Sequence, residues 1–179
     1  MIYLDARTKI QTGDVILFSG TRVVSRLIRW GSKSRYSHCG IAAWWEDRLL
    51  VFEAEATGLR IDRASICVDR YEGGVDWFAP AEDVALAREK VHREALDQIG
   101  KPYGYAGVAR LSWAILRHGG GPGVDGTSPL AMFCSQYVSQ CYRAGGVDLS
   151  PTTTDQMTLP GQIATSPLLR FMGTLRAAE

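Results

Sequence analysis

The sequence lacks the spacing that structural zinc requires. Its four cysteines (Cys39, Cys67, Cys134 and Cys141) contain no C-x-x-C pair. Four cysteines in 179 residues are also too sparse for a disulfide scaffold. No apolar run reaches the roughly 20 residues needed to span a bilayer, so no integral membrane segment is expected. Met1 to Gln11 has no apolar core of the signal-peptide kind. These absences set a default expectation of a cytoplasmic protein with reduced thiols, with export by other means left open. The formal net charge is +1 and the arginines are scattered, which excludes a polyanion-binding surface as the organising feature; no nucleic-acid partner is expected. Internal repeats and a Pro/Gly/Ser linker are also missing, which predicts one domain over residues 1–179. At 46% hydrophobic and 22% charged, the chain has enough apolar residues to bury a core.

The glycine-rich stretch Gly119 to Thr127 lacks the following Lys-Ser or Lys-Thr, and no strand precedes it. It is therefore a loop and not a phosphate cradle. It leads into Ala131 to Ala144, where Cys134, Tyr137, Val138, Cys141 and Tyr142 fall on one helical stripe and Gly145 provides the stop. Upstream, Thr12-Gly13-Asp14 is a turn and Val15 to Phe18 a short buried strand. Thr21 opens a helical stretch with Val24, Leu27 and Ile28 on one face. Tyr36 to Trp45 reads as a strand, Glu46-Asp47 as a tight turn and Leu49 to Glu55 as the returning strand. Gly58 to Arg63 and Gly74 to Ala79 read as two more strands. Asp83 is placed to N-cap a helix running to Ile99, and Tyr105 to Arg117 outlines another. The tail, with Pro151, Pro160 and Pro167, carries no long periodic element and is expected to be packed irregular chain.

Pairing Trp45 with Arg48 makes paired residues sum to 93, so that Gly40 faces Glu53. Alternation then puts His38, Glu53 and Glu55 on one face, with Glu53 diagonal to His38. A three-residue loop would instead shift the register by one and put the acids behind the sheet. Cys39 points to the other face and is rejected as a nucleophile. A thiol becomes nucleophilic only when its pKa of about 8.5 is lowered by an imidazolium or a helix N-terminus. The imidazole must in turn be aimed by a third polar group. Cys134, His38 and Glu53 supply these three parts, with Glu55 the rival for the third. The Cys134 backbone N–H is a candidate oxyanion donor. Each residue also has a plainer reading. Cys134 and Cys141 fit a core stripe, Cys67 fits core, His92 fits a solvated helix, and His118 is a weak alternative base.

Four segments resemble the permuted papain-like cysteine hydrolases of the NlpC type, in particular the YiiX-like group. They are Gly13-Asp14-Val15-Ile16-Leu17-Phe18, Tyr36-Ser37-His38-Cys39-Gly40-Ile41, Val51-Phe52-Glu53-Ala54 and Phe133-Cys134-Ser135-Gln136-Tyr137-Val138 followed by Ala144-Gly145-Gly146. Pro160 through Leu169 is similar to the group's C-terminal segment. Gln136 departs from the acid that often follows Cys-Ser in the group. The resemblance implies an α+β fold with an antiparallel, partly barrel-like sheet packed against the nucleophile helix. It implies Cys134 as nucleophile, His38 as general base and acid and Glu53 as the orienting group, with Tyr36 lining the substrate site. Ser128-Pro129 is also compatible with an earlier helix start, which puts Cys134 in the second turn and weakens the dipole's help; the resemblance instead places the cysteine at a helix start, so Ser128 to Phe133 is expected to be non-helical. The Cys134 side chain is expected to point to the sheet face that bears His38. The implied activity is cleavage of amide bonds in peptide or small amide substrates, cell-wall peptides among them, without a metal or organic cofactor. Lipid acyl transfer of the lecithin:retinol acyltransferase type, and an inactive binding module, are the alternatives the motifs leave open.

Overall fold

The computed structural model describes residues 3–21, 25, 29, 34–55, 58–99, 129–153, 155 and 158–178. Six strands form one antiparallel sheet: β1 (Val15–Gly20), β2 (His38–Trp45), β3 (Arg48–Glu55), β4 (Gly58–Arg63), β5 (Gly73–Pro80) and β6 (Leu169–Arg176). Their order is β4-β3-β2-β1-β5-β6. The sheet is open, with β4 and β6 at its edges, and is not closed into a barrel. Among the described residues it is accompanied by the helices α1 (Tyr3–Ala6), α2 (Ala64–Arg70), α3 (Arg88–Asp97), α4 (Pro129–Ala144) and α5 (Pro160–Thr165).

Strand β1 lies at the centre and is buried along its whole length. Its unbroken apolar run follows from that position, because both of its faces are covered. One face carries Val15, Leu17, Cys39, Ile41, Ala43, Phe52 and Ala54, which pack with Val91 and Ala95 of α3 and Cys134, Tyr137, Val138, Cys141 and Tyr142 of α4. The other face carries Ile16, Phe18, Ala42, Val51, Val75 and Trp77, which pack with Tyr3, Ala6, Ala64 and Val68. The predicted stripe of α4 is the stripe it buries.

The β2–β3 register matches the sequence reading: Trp45 pairs with Arg48 and Gly40 with Glu53. The two-residue turn holds Glu46 at φ 52°, the left-handed conformation such a turn requires at its first central residue. Gly58–Arg63 is the strand expected there and pairs with β3, while the strand expected over 74–79 runs from Gly73 to Pro80 and pairs with β1 and β6.

Three local expectations are corrected. Helix α3 starts at Arg88, not after Asp83. Val84 and Leu86 pack against the core from a turn region, and the Ala87 N–H donates to the Gly145 carbonyl, so tertiary bonding replaces the first helical turns. The tail is not irregular, since it contains α5 and the edge strand β6. Its periodicity is masked because β6 shifts register twice against β5. Helix α4 begins at Pro129, so residues 129–133 are helical. Proline at the first helical position is pre-set for the helix and lacks only an N–H that would be unpaired there. The stretches predicted helical from Thr21 and over 105–117, and the glycine loop 119–127, fall on or run into residues outside the described set.

Candidate active site

Helix α4 places Cys134 as its sixth residue, one turn deeper than expected. The macrodipole acts within the first turn, so its help to a thiolate here is small. Only the first four N–H groups of a helix lack an intrahelical acceptor. The Cys134 N–H therefore belongs to the helical ladder and is not free to serve an oxyanion, contrary to the sequence reading. The side chain is fully buried and shares the core cluster of Cys39, Ile41 and Phe52. It lies on the sheet face opposite the one expected. It nevertheless reaches His38, because His38 is the first residue of β2 and sits at the end of the ladder.

His38 and Glu53 share the other face by register. His38 Nε2 lies 2.7 Å from Glu53 Oε2. With Nε2 held by Glu53, Nδ1 is the nitrogen left to face the sulfur. The His38 ring lies against Phe18 with centroids 5.4 Å apart. Gly40 lies between the two partners along the diagonal. A Cβ there would stand 3.0 Å from Glu53 Cγ and 2.8 Å from the Phe52 carbonyl oxygen, so the bare glycine is what lets the carboxylate lie over the strand.

The electrostatics follow from these contacts. Burial alone would hold His38 neutral, but hydrogen bonds and charge from Cys134 and Glu53 outweigh it and raise its pKa well above the ordinary value. Burial would likewise keep Cys134 protonated. Hydrogen bonds from Cys39 together with the charge and hydrogen bond of His38 outweigh it and bring the thiol pKa well below the ordinary value. For Cys39, burial and the neighbouring Cys134 sulfur act together and raise the pKa well above the ordinary range. These directions favour a Cys134 thiolate beside a His38 imidazolium and keep the proton on Cys39.

Tyr36 is buried, and its hydroxyl donates to Asp76 Oδ2 at 2.7 Å. The Glu55 backbone pairs with Gly58; its side chain, like the whole of His118, lies outside the described residues. His92 is not solvated: its ring meets Phe52 edge-on and Nε2 is buried. Cys141 is core, as read from the stripe. Two features were missed. The Cys67 thiol is within 3.4 Å of Glu53 Oε1, brought there by a helix whose packing no motif announces. Asp76, fully buried in β5, accepts from Arg35, Tyr36 and Thr174 and anchors the segment that enters His38. An acid inside the apolar run Val75-Asp76-Trp77-Phe78 was a legible signal of a satisfied buried charge.

No protein-family model matches the sequence, and no curated protein is significantly similar to it. Among solved structures, the metalloprotein YiiX from Escherichia coli O157:H7 superposes with a TM-score of 0.62 at 18% identity, over 91% of this chain and 96% of that one. At this identity the likeness shows the fold: the chain has a YiiX-like fold. Among the described residues no three His, Cys, Asp or Glu side chains are grouped to hold a metal ion. None of the described helices is long and apolar enough to cross a membrane.

Proposed function

We propose that this chain is one catalytic domain of the permuted papain-like kind, a cysteine hydrolase that cleaves amide bonds through a thioester. The observation that carries the reading is the continuous contact from Cys134 to His38 to Glu53, with the His38–Glu53 link at 2.7 Å. The Cys134 thiolate attacks the amide carbonyl carbon, and the carbonyl π electrons move to oxygen. As the tetrahedral adduct collapses, the C–N bond breaks and His38 gives its proton to the leaving amine. His38 then takes a proton from water, which attacks the thioester and releases the acid and the Cys134 sulfur. Glu53 holds the imidazole in the orientation both steps need. The substrate is a peptide or small amide, with cell-wall peptides the leading class. No metal or organic cofactor enters this chemistry.

Site-resolved iodoacetamide labelling at pH 7 tests the activated thiol. Cys134 should react well before Cys39, Cys67 and Cys141, whose pKa values burial raises. Equal, slow labelling of all four would favour an inert binding module. Incubation with phospholipid and peptide amides separates the two acyl chemistries. Acyl exchange from the lipid without amide cleavage would replace the hydrolase reading with acyl transfer.

A further inference from the structure

Glu53 is a buried carboxylate with two oxygens, and the described contacts use both. Oε2 meets His38 Nε2 at 2.7 Å and Oε1 meets Cys67 Sγ at 3.4 Å. Cys67 comes from α2, the helix that follows β4 and packs against β3 and β4 on the face opposite α4. A carboxylate fixed at one oxygen can still turn about its terminal torsion, which is broad and roughly two-fold. A donor on the second oxygen fixes the plane. We propose that Cys67 is a positioning residue: its S–H holds the Glu53 carboxylate in the plane aimed at His38, extending the relay to Cys67–Glu53–His38–Cys134. This inference rests on the cysteine hydrolase reading and assigns to that site a member on the far side of the sheet.

Cys67 is suited to donate. Burial, and then the Glu53 charge, push its thiol well above the ordinary range, so it keeps its proton through neutral pH. The other titratable groups that act on it are Asp62 and Arg60 of β4 and Tyr3 of α1; Asp62 favours the protonated thiol and Arg60 opposes it. The thiol is half-buried at the edge of the second core cluster, beside Val68 and Ala64. A core filler at this place would need only volume; a positioning residue needs a donor.

The experiment uses the full chain and compares Cys67→Ala, Cys67→Val and Cys67→Ser with wild type, each checked for cooperative thermal unfolding. Site-resolved iodoacetamide labelling of Cys134 is followed from pH 5 to pH 9. Losing the donor lets the carboxylate turn away, which lowers the His38 pKa and raises that of Cys134. Cys67→Ala and Cys67→Val should therefore label Cys134 about five-fold more slowly on the acid limb of the profile, the effect of one lost hydrogen bond. The labelling midpoint should move up in pH. Cys67→Ser, which keeps an O–H donor, should restore the wild-type profile. Profiles of all variants that overlay on a fast wild type overturn this inference alone. So does a Ser variant as slow as Val, since packing would then be the cause. A wild-type Cys134 that labels no faster than Cys141 overturns the hydrolase reading and this inference with it.

Discussion

At Cys134 two effects compete, and the neighbours win. Burial opposes a thiolate and an imidazolium separately, but each stabilises the other at contact distance, and Glu53 and Cys39 add hydrogen bonds to the charged forms. This has a consequence for stability that can be worked out by counting protons. In the unfolded chain His titrates near 6.5 and Cys near 8.5. His38, raised in the fold, contributes stability that is complete below its unfolded value and is lost as pH rises through its folded one. Cys134, lowered in the fold, contributes stability that is complete above its unfolded value and is lost as pH falls through its folded one. Between about pH 6.5 and 8.5 both states hold one proton on the pair and the contribution is level; it declines on either side. The difference in thermal midpoint between wild type and Cys134→Ala should thus vary with pH, with a plateau in that window and a fall towards pH 5 and pH 10. A difference constant from pH 5 to 10 would contradict the ion pair. His38 and Cys134 were candidates for chemistry through the resemblance of their segments, and the pairing arithmetic placed Glu53 beside His38. That Cys39 and Cys67 flank the two ends of the relay was not readable, since both look like ordinary core thiols in the sequence.

At the scale of elements, the β2–β3 hairpin does the positioning. Its two-residue turn allows one register, and that register sets Glu53 diagonal to His38. Gly40 is the position where this geometry is most exposed to change. In Gly40→Ala the new methyl meets the Phe52 carbonyl and Glu53 Cγ, and backbone must shift to relieve the first contact. The variant should lose about 1–3 kcal/mol in urea unfolding. It should also slow Cys134 labelling more than Ala43→Gly, a control on the same strand away from the carboxylate. Unchanged stability together with unchanged labelling would show that the strand accommodates the methyl freely. Helix α4 shows where reading by element falls short. Its buried stripe was legible from spacing, but its first residue was not, because Pro129 is compatible with both a loop and a helix start. The consequence reaches the chemistry. One extra turn moves Cys134 away from the helix N-terminus, so side chains and not the dipole must stabilise its charge.

For the molecule as a whole, the sheet is a wall with a helical layer on each side, and the candidate site forms where one strand end meets both. The layers are tied at the opposite end of β1. There the buried Asp14 accepts from the Gln11 N–H, from Trp77 Nε1 at 2.8 Å and from Arg88 of α3 at 2.8 Å, while the Tyr142 hydroxyl of α4 donates to the Gly13 carbonyl at 2.5 Å. Burial raises the Asp14 pKa, and the Gln11 amide and Arg88 oppose that rise. Arg88→Ala leaves the carboxylate buried without its cation and should cost about 2–4 kcal/mol at neutral pH. A raised carboxyl costs stability as pH climbs from its unfolded value near 3.9 through its folded one, because the fold then has to hold the charge. The variant should accordingly be less impaired at pH 5 than at pH 8 in denaturant titrations. An equal penalty at the two pH values would show that the ion pair contributes nothing beyond packing.

Local pattern alone read the buried stripe of α4, the strands over 15–18, 58–63 and 74–79 and, given a two-residue turn, the β2–β3 register, because period-2 and period-3.6 burial and a tight turn act over a few residues. The choice of Cys134, His38 and Glu53 came from the resemblance of their segments, since by residue type Cys134 fits core equally well. The tertiary structure decided the start of α3, the edge strand β6, the face from which Cys134 approaches and the contacts of Cys67 and Asp76. Each of those depends on a hydrogen bond or packing contact between residues far apart in the chain, and no local periodicity encodes such a contact.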